Sequence, residues 1–158
     1  TLTGTAAING TGNDLANTII GNAGNNILAG LGGADILDGG AGFDTARYDG
    51  ASAGVTIYVD AAYANQGEAA GDFHFSIEGI VGSTFGDYLV GGVANNVLEG
   101  FGGNDILEGH EGNDYLGGGA GDDQHFLQTA ELGGFQQHAP HASAGTRNGD
   151  RKGVPLLF

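Results

Sequence analysis

Asp35, Asp44, Asp87, Asp105, Asp114 and Asp123 recur, with Asn17, Asn26 and Asn96, at nine-residue intervals within two stretches of the chain. Each occupies the sixth place of a unit that begins with glycine: GNDLANTII at residue 12, then units at 21, 30 and 39, and a second series at 82, 91, 100, 109 and 118. Oxygen donors at a fixed period invite a hard cation. If two units make one coil, side chains two units apart lie directly above one another. The vertical neighbours are then Asn17/Asp35, Asn26/Asp44, Asp87/Asp105, Asn96/Asp114 and Asp105/Asp123. Carboxylates stacked this way repel one another unless a dication sits between them. Calcium accepts about six to eight oxygens, backbone carbonyls included, whereas magnesium keeps its waters and insists on an octahedron. Asp and Asn also make good turns without any metal. Turn chemistry does not explain acidic side chains held in vertical register in a chain so poor in cations.

The elements that would hold these residues follow from the same period. Six residues rich in Gly, Asn and Asp supply turn conformations that other side chains avoid. The three that follow, such as Ile106-Leu107-Glu108, read as a short strand with its middle side chain inward. The eighth place is filled by Ile19, Leu28, Leu37, Leu89, Leu98, Leu107 and Leu116, with Ala46 and His125 as exceptions. Sixth-place side chains are expected to face outward at the turns. Stacked coils pair their strands in parallel and pile the leucines into a narrow core; one unit alone buries too little, so the array needs neighbours.

GGAGFD (39–44) and GGAGDD (118–123) match the turn of the GGxGxDxUx signature fully, and GLGGAD, GFGGND and GHEGND match it with one glycine displaced or missing. The chain therefore resembles the RTX, or haemolysin-type, calcium-binding nonapeptide-repeat family over roughly residues 10–126. The resemblance implies an all-β fold, a right-handed parallel β-roll with glycine-rich calcium-binding turns. It also implies Ca2+ held between coils by sixth-place side chains and turn carbonyls, here those of Gly100, Gly102, Gly109 and Gly118. Asn17, Asn26 and Asn96 offer neutral oxygens, and Phe85 replaces a turn glycine. The strongest site is expected between Asp105 and Asp123, with the Asn-containing pairs weaker or empty.

Five segments result: a lead-in strand (1–11), a first repeat block (12–47), a spacer (48–81), a second block (82–126) and an irregular, disordered tail (127–158). In the spacer Val55–Val59 and Phe73–Ile77 alternate as strands do, so it is expected to continue the roll with wider turns. The tail carries both prolines and three of the four basic residues. A disordered end, a frame-shifted end and an export signal are all open readings of it. Because the chain opens on Thr1, an excised or mature fragment is expected, with any catalytic domain upstream.

Charge narrows the partners. Residues 1–123 hold 17 acidic groups against Arg47 alone, a net of −16, which repels nucleic acid and anionic lipid. There is no cysteine for a disulfide or thiolate site, and no apolar run reaches the roughly 20 residues of a membrane span. Gly50-Ala51-Ser52-Ala53-Gly54 fits the GxSxG pattern, but without the strand–turn–helix and large sheet a hydrolase elbow needs. His138 and His141 flank Pro140, which breaks the helical spacing of zinc ligands. The fragment itself is expected to be non-enzymatic. The resemblance implies a secreted, extracellular bacterial module that crosses a type I exporter unfolded and folds on meeting calcium. The rival is a β-roll that binds surface polysaccharide or serves as an adhesive, attached to an extracellular protease, lipase or epimerase.

Overall fold

The computed structural model describes residues 1–60 and 64–127. The tail readings and the His138/His141 pair lie outside the described residues. Among the described residues thirteen strands, most of three residues, follow one another. They are β1 (Gly10–Thr11), β2 (Thr18–Ile20), β3 (Ile27–Ala29), β4 (Ile36–Asp38), β5 (Thr45–Arg47), β6 (Thr56–Tyr58) and β7 (Phe73–Phe75). They continue as β8 (Gly79–Val81), β9 (Tyr88–Val90), β10 (Val97–Glu99), β11 (Ile106–His110), β12 (Tyr115–Gly117) and β13 (Gln124–Leu127). All the strand pairings are parallel, and within the blocks partners stand 18 residues apart, as in Leu28 beside Ala46 and Leu98 beside Leu116. Two nine-residue units therefore make one coil, and the fold is a parallel β-roll.

The eighth-place side chains form the core. Leu28, Leu37, Ala46, Leu89, Leu98 and Leu107 are fully buried, with Ile19 and Leu116 packed partly buried at the two ends of the stack. The spacer adds Ile57 beside Leu89, and Ile80 between Ala46 and Leu98. Each fully buried leucine contributes about 1.5–3 kcal/mol. Within the blocks the core takes one inward side chain per strand, and the spacer widens it with Tyr48, Ala51, Val55, Ala69 and Ile77.

One face is continuous, in the order β1-β3-β5-β8-β10-β12. The other is split into β2-β4-β7 and β6-β9-β11-β13. The split comes from the spacer, whose two strands exchange places. After β5 the chain runs forward to β6, which pairs with β9. It then doubles back through a 3-10 turn at Gly67–Ala69 to β7, which pairs with β4. At the seam Asn65 accepts the Tyr58 N–H at 2.8 Å and donates to the Asp72 carbonyl at 3.0 Å. Thr56 and Gln66 also exchange backbone N–H···O bonds at 3.2 and 2.9 Å, so the segment at 65–66, not β7, covers this edge of β6. His74 of β7 sits in register with Leu37, where a leucine would otherwise stand. Its Nε2 lies 2.8 Å from the Tyr48 hydroxyl, and burial pushes its pKa down to about 4.

Candidate metal centre

The sixth-place side chains do not face outward. Asp35, Asp44 and Asp105 are at most 1% exposed, and Asn26, Asp87 and Asn96 are also buried. The cause is backbone hydrogen bonding. Each carboxylate turns one oxygen toward the sixth residue of the coil behind and accepts its N–H. The Asn17 N–H meets Asp35 Oδ1 at 2.7 Å and that of Asn26 meets Asp44 Oδ1 at 2.7 Å. In the second block Asp87 bonds to Asp105 at 2.9 Å, Asn96 to Asp114 at 2.9 Å and Asp105 to Asp123 at 3.1 Å. The side chain stands where no strand carbonyl reaches, so it must fold inward.

Two spacer residues extend these ladders. Asp72 Oδ1 accepts the Asp35 N–H at 2.7 Å, and Glu78 Oε2 accepts that of Asp44 at 2.9 Å. Neither belongs to a nonapeptide, and sequence reasoning missed both. A signal was present: each is an acid directly preceding a short strand, Phe73–Phe75 and Gly79–Val81, as every sixth-place residue does.

A side-chain oxygen left over from these ladders, the single Oδ1 of Asn17, Asn26 and Asn96 and Oδ2 of the aspartates, divides the turns into two kinds. In the units beginning at 12, 21, 82 and 91 it accepts the N–H of the unit's own second residue. Asn13 N–H reaches Asn17 Oδ1 at 2.7 Å and Asn22 N–H reaches Asn26 Oδ1 at 2.8 Å. Likewise Ser83 N–H reaches Asp87 Oδ2 at 2.6 Å, and Gly92 N–H reaches Asn96 Oδ1 at 2.7 Å. Asn26 and Asn96 then donate Nδ2 to the carbonyls of Ile8 and Glu78, one coil behind, at 2.8 and 3.2 Å. These are closed turns.

In the units beginning at 30, 39, 100, 109 and 118 the second residue is left-handed instead, at Leu31 (φ 69°), Gly40 (91°), Phe101 (77°), His110 (62°) and Gly119 (89°). Its N–H is not bonded to the sixth-place carboxylate. Oδ2 of Asp35, Asp44, Asp105 and Asp114 is buried with no hydrogen-bond partner. A methyl group added to Gly30, Gly100, Gly109 or Gly118 would collide with Oδ2 of Asp35, Asp105, Asp114 or Asp123 respectively. The first glycine is needed for that space here as it is at Gly12, Gly21, Gly82 and Gly91 of the closed turns. These are open turns, and Asp105/Asp123 is a vertical pair in which both turns are open.

A buried carboxylate oxygen without a partner is costly. Burial accordingly pushes the pKa of Asp35, Asp44 and Asp114 up. Asp105 rises to about 6, through burial first and then the charges of Asp87 and Asp123, against the lowering effect of the Asp87 N–H. Such a group is relieved by a proton or by a metal ion. Among the described residues no three acidic or histidine side chains converge, so an ion there needs backbone carbonyls as well. They are at hand. The Ser76 carbonyl lies against Gly39, in the open turn that holds Asp44, and the Phe101 carbonyl against Gly119, in the open turn that holds Asp123. Hard oxygens of both kinds around a glycine-lined space suit calcium.

The candidate ligands thus fall into two sets. Asp35, Asp44, Asp105, Asp114 and Asp123 stand in open turns with Gly100, Gly109 and Gly118. Asn17, Asn26, Asp87 and Asn96 stand in closed turns, with their side-chain oxygens engaged. Gly102 donates its N–H to the Gly100 carbonyl at 3.1 Å and bridges to Ala120.

Comparison with known families agrees with this geometry. The RTX calcium-binding nonapeptide repeat matches the chain in four copies, over residues 11–46, 81–116 and 90–124. No curated protein matches the chain. The chain belongs to the RTX calcium-binding nonapeptide-repeat family, and its repeats are of the calcium-binding kind. Repeats of this family are typical of secreted bacterial proteins. Among the described residues no helix is long and apolar enough to cross a membrane.

Proposed function

We propose that this chain is a calcium-dependent folding module of a secreted bacterial protein, exported unfolded through a type I exporter and folded outside the cell. The observation that carries the reading is the set of four buried Oδ2 atoms, on Asp35, Asp44, Asp105 and Asp114, that have no hydrogen-bond partner among the described residues. Where calcium is scarce, these oxygens and the net −16 of residues 1–123 weigh against a core one side chain thick within the blocks. Bound calcium supplies positive charge at the Oδ2 atoms and takes up turn carbonyls. The protein's own part is to hold the carboxylates inward through the Oδ1 ladder and to keep the glycine space free. Extracellular sites of this type have Kd values of about 10⁻⁴–10⁻³ M. A tenfold excess of ion over Kd stabilises by about 1.4 kcal/mol per site, so a few sites switch a marginal fold. The module itself is read as non-catalytic.

A second reading, in which the roll offers a face to surface polysaccharide or another adhesive target, has one observation in its favour. Phe73 and Phe75 on the outer side of β7 are 51% and 50% exposed, beside the outer residue Ile36 of β4. Far-UV circular dichroism during a calcium titration, with magnesium as control, tests the first reading. A cooperative gain of β signal near millimolar calcium alone is expected. An equal response to magnesium, or no response, overturns it.

A further inference from the structure

We propose that each repeat block opens on a coil whose turns close without metal, and that ion binding in this chain is confined to the open turns that follow. The proposal rests on the calcium reading above and assigns which turns take part. The distribution is regular. The closed turns are the first two units of each block, at 12 and 21 and at 82 and 91, one for each side of the roll. Every open turn comes later in its block.

In a closed turn the N–H of the second residue points at the sixth-place oxygen from the side left bare in an open turn. In two of them an Asn Nδ2 also occupies a carbonyl of the coil behind. Positive hydrogen thus stands where a cation would, and it is held by covalent structure rather than by solution concentration. The three asparagines all stand in closed turns and every open turn holds an aspartate, but an acid can also close. Asp87 is an acid, yet Oδ2 accepts the Ser83 N–H while Oδ1 accepts the Val55 N–H at 2.8 Å and the Ser83 hydroxyl at 2.7 Å. Both oxygens are engaged, and neither is among the unpartnered buried atoms.

Open turns show the opposite balance. Leu31, Phe101 and His110 hold a left-handed backbone that side-chain-bearing residues resist, and the oxygen beneath them is exposed to no donor. A shape strained in its backbone and unsatisfied at its carboxylate is one completed by a ligand. The closed coil, satisfied by its own atoms, is the surface on which the first open coil stacks: Asn17 and Asn26 donate their N–H groups forward to Asp35 and Asp44, and Asp87 and Asn96 to Asp105 and Asp114.

Equilibrium dialysis of the full chain against calcium alone tests this. Asp105→Asn is expected to reduce the bound calcium by at least one ion per chain, and Asp87→Asn, checked by circular dichroism for fold, to retain the wild-type number. Equal losses in both variants overturn the closed-turn assignment and leave the calcium reading standing. A wild-type chain that binds no calcium overturns the calcium reading itself.

Discussion

The coil at 82–99 and the coil at 100–117 lie one above the other, share the nine-residue frame, and end their turns differently. Asp87 and Asp105 are the same residue at the same place on the same side. One has every oxygen bonded, and the other has Oδ2 buried and bare. The backbone of the second residue makes the difference: the Ser83 N–H turns in, and left-handed Phe101 turns its own away. The spacer shows a third solution. There Asp72 Oδ2 accepts the Tyr48 hydroxyl at 2.8 Å, so a buried phenol does what an amide does at Asp87. A buried carboxylate in this fold is completed by an amide or a hydroxyl, or keeps one oxygen bare, and local geometry selects which.

The comparison breaks most visibly at Asp105. In calcium, Asp105→Ala is expected to cost about 3 kcal/mol, from an orphaned Asp87 N–H and lost ion binding. At calcium just above the folding midpoint the cost falls well below that, because an unsatisfied carboxylate goes with it. Asp87→Ala is expected to cost similar amounts in both conditions, and urea melts at saturating and at near-midpoint calcium separate the two patterns. Next comes Tyr48→Phe, which strips the shared hydroxyl from Asp72 and His74. A loss of about 2 kcal/mol, the same at both calcium levels, is expected from the same melts.

Acidity sharpens the contrast further. Asp105 titrates at about 6 in the folded chain against an ordinary value near 3.8, so folding without metal takes up a proton there. Its ionised form destabilises the metal-free roll above about pH 6, and that penalty fades as pH falls toward 4. In chelator Asp105→Asn should therefore be more stable than wild type at pH 7.5 and lose this advantage through pH 6 to 4. With calcium present the order reverses at neutral pH. The smallest effect is expected at Phe101, whose side chain is half exposed. Phe101→Gly relieves a left-handed backbone and should stabilise the calcium-bound roll by about 1 kcal/mol. Ser83→Gly, in a turn without that conformation, should not stabilise it.

Much of this was legible from the sequence because period carries it. Nine-residue spacing identified the strands, the buried eighth-place leucines and the sixth-place ladder, since a repeat that stacks on itself has few ways to place them. The spacer lacks that period, and the exchange of β6 and β7 depends on pairings across 32 and 37 residues that no local signal marks. The inward fold of the sixth-place side chains was missed for a related reason. It follows from backbone N–H groups one coil away, which a one-dimensional pattern does not display. The division of turns is harder still: Gly92 and Gly119 are both second-place glycines, and only one is left-handed. Asp72 and Glu78 were visible as acids before strands, but without a glycine at the start of a unit they fell outside the frame.

The exchanged strands of the spacer also bear on how the roll yields to force. A solenoid pulled from one end peels one loop at a time, each releasing a similar length of chain. Here peeling from the C-terminal end reaches a point where β9 has left and β6 is bare, yet β6 is tied to β7 through Asn65 and to β5 by a short link. Residues 48–81 must then give way together. The spacer is thus a latch, and a single-molecule extension trace should show one long step among shorter, regular ones.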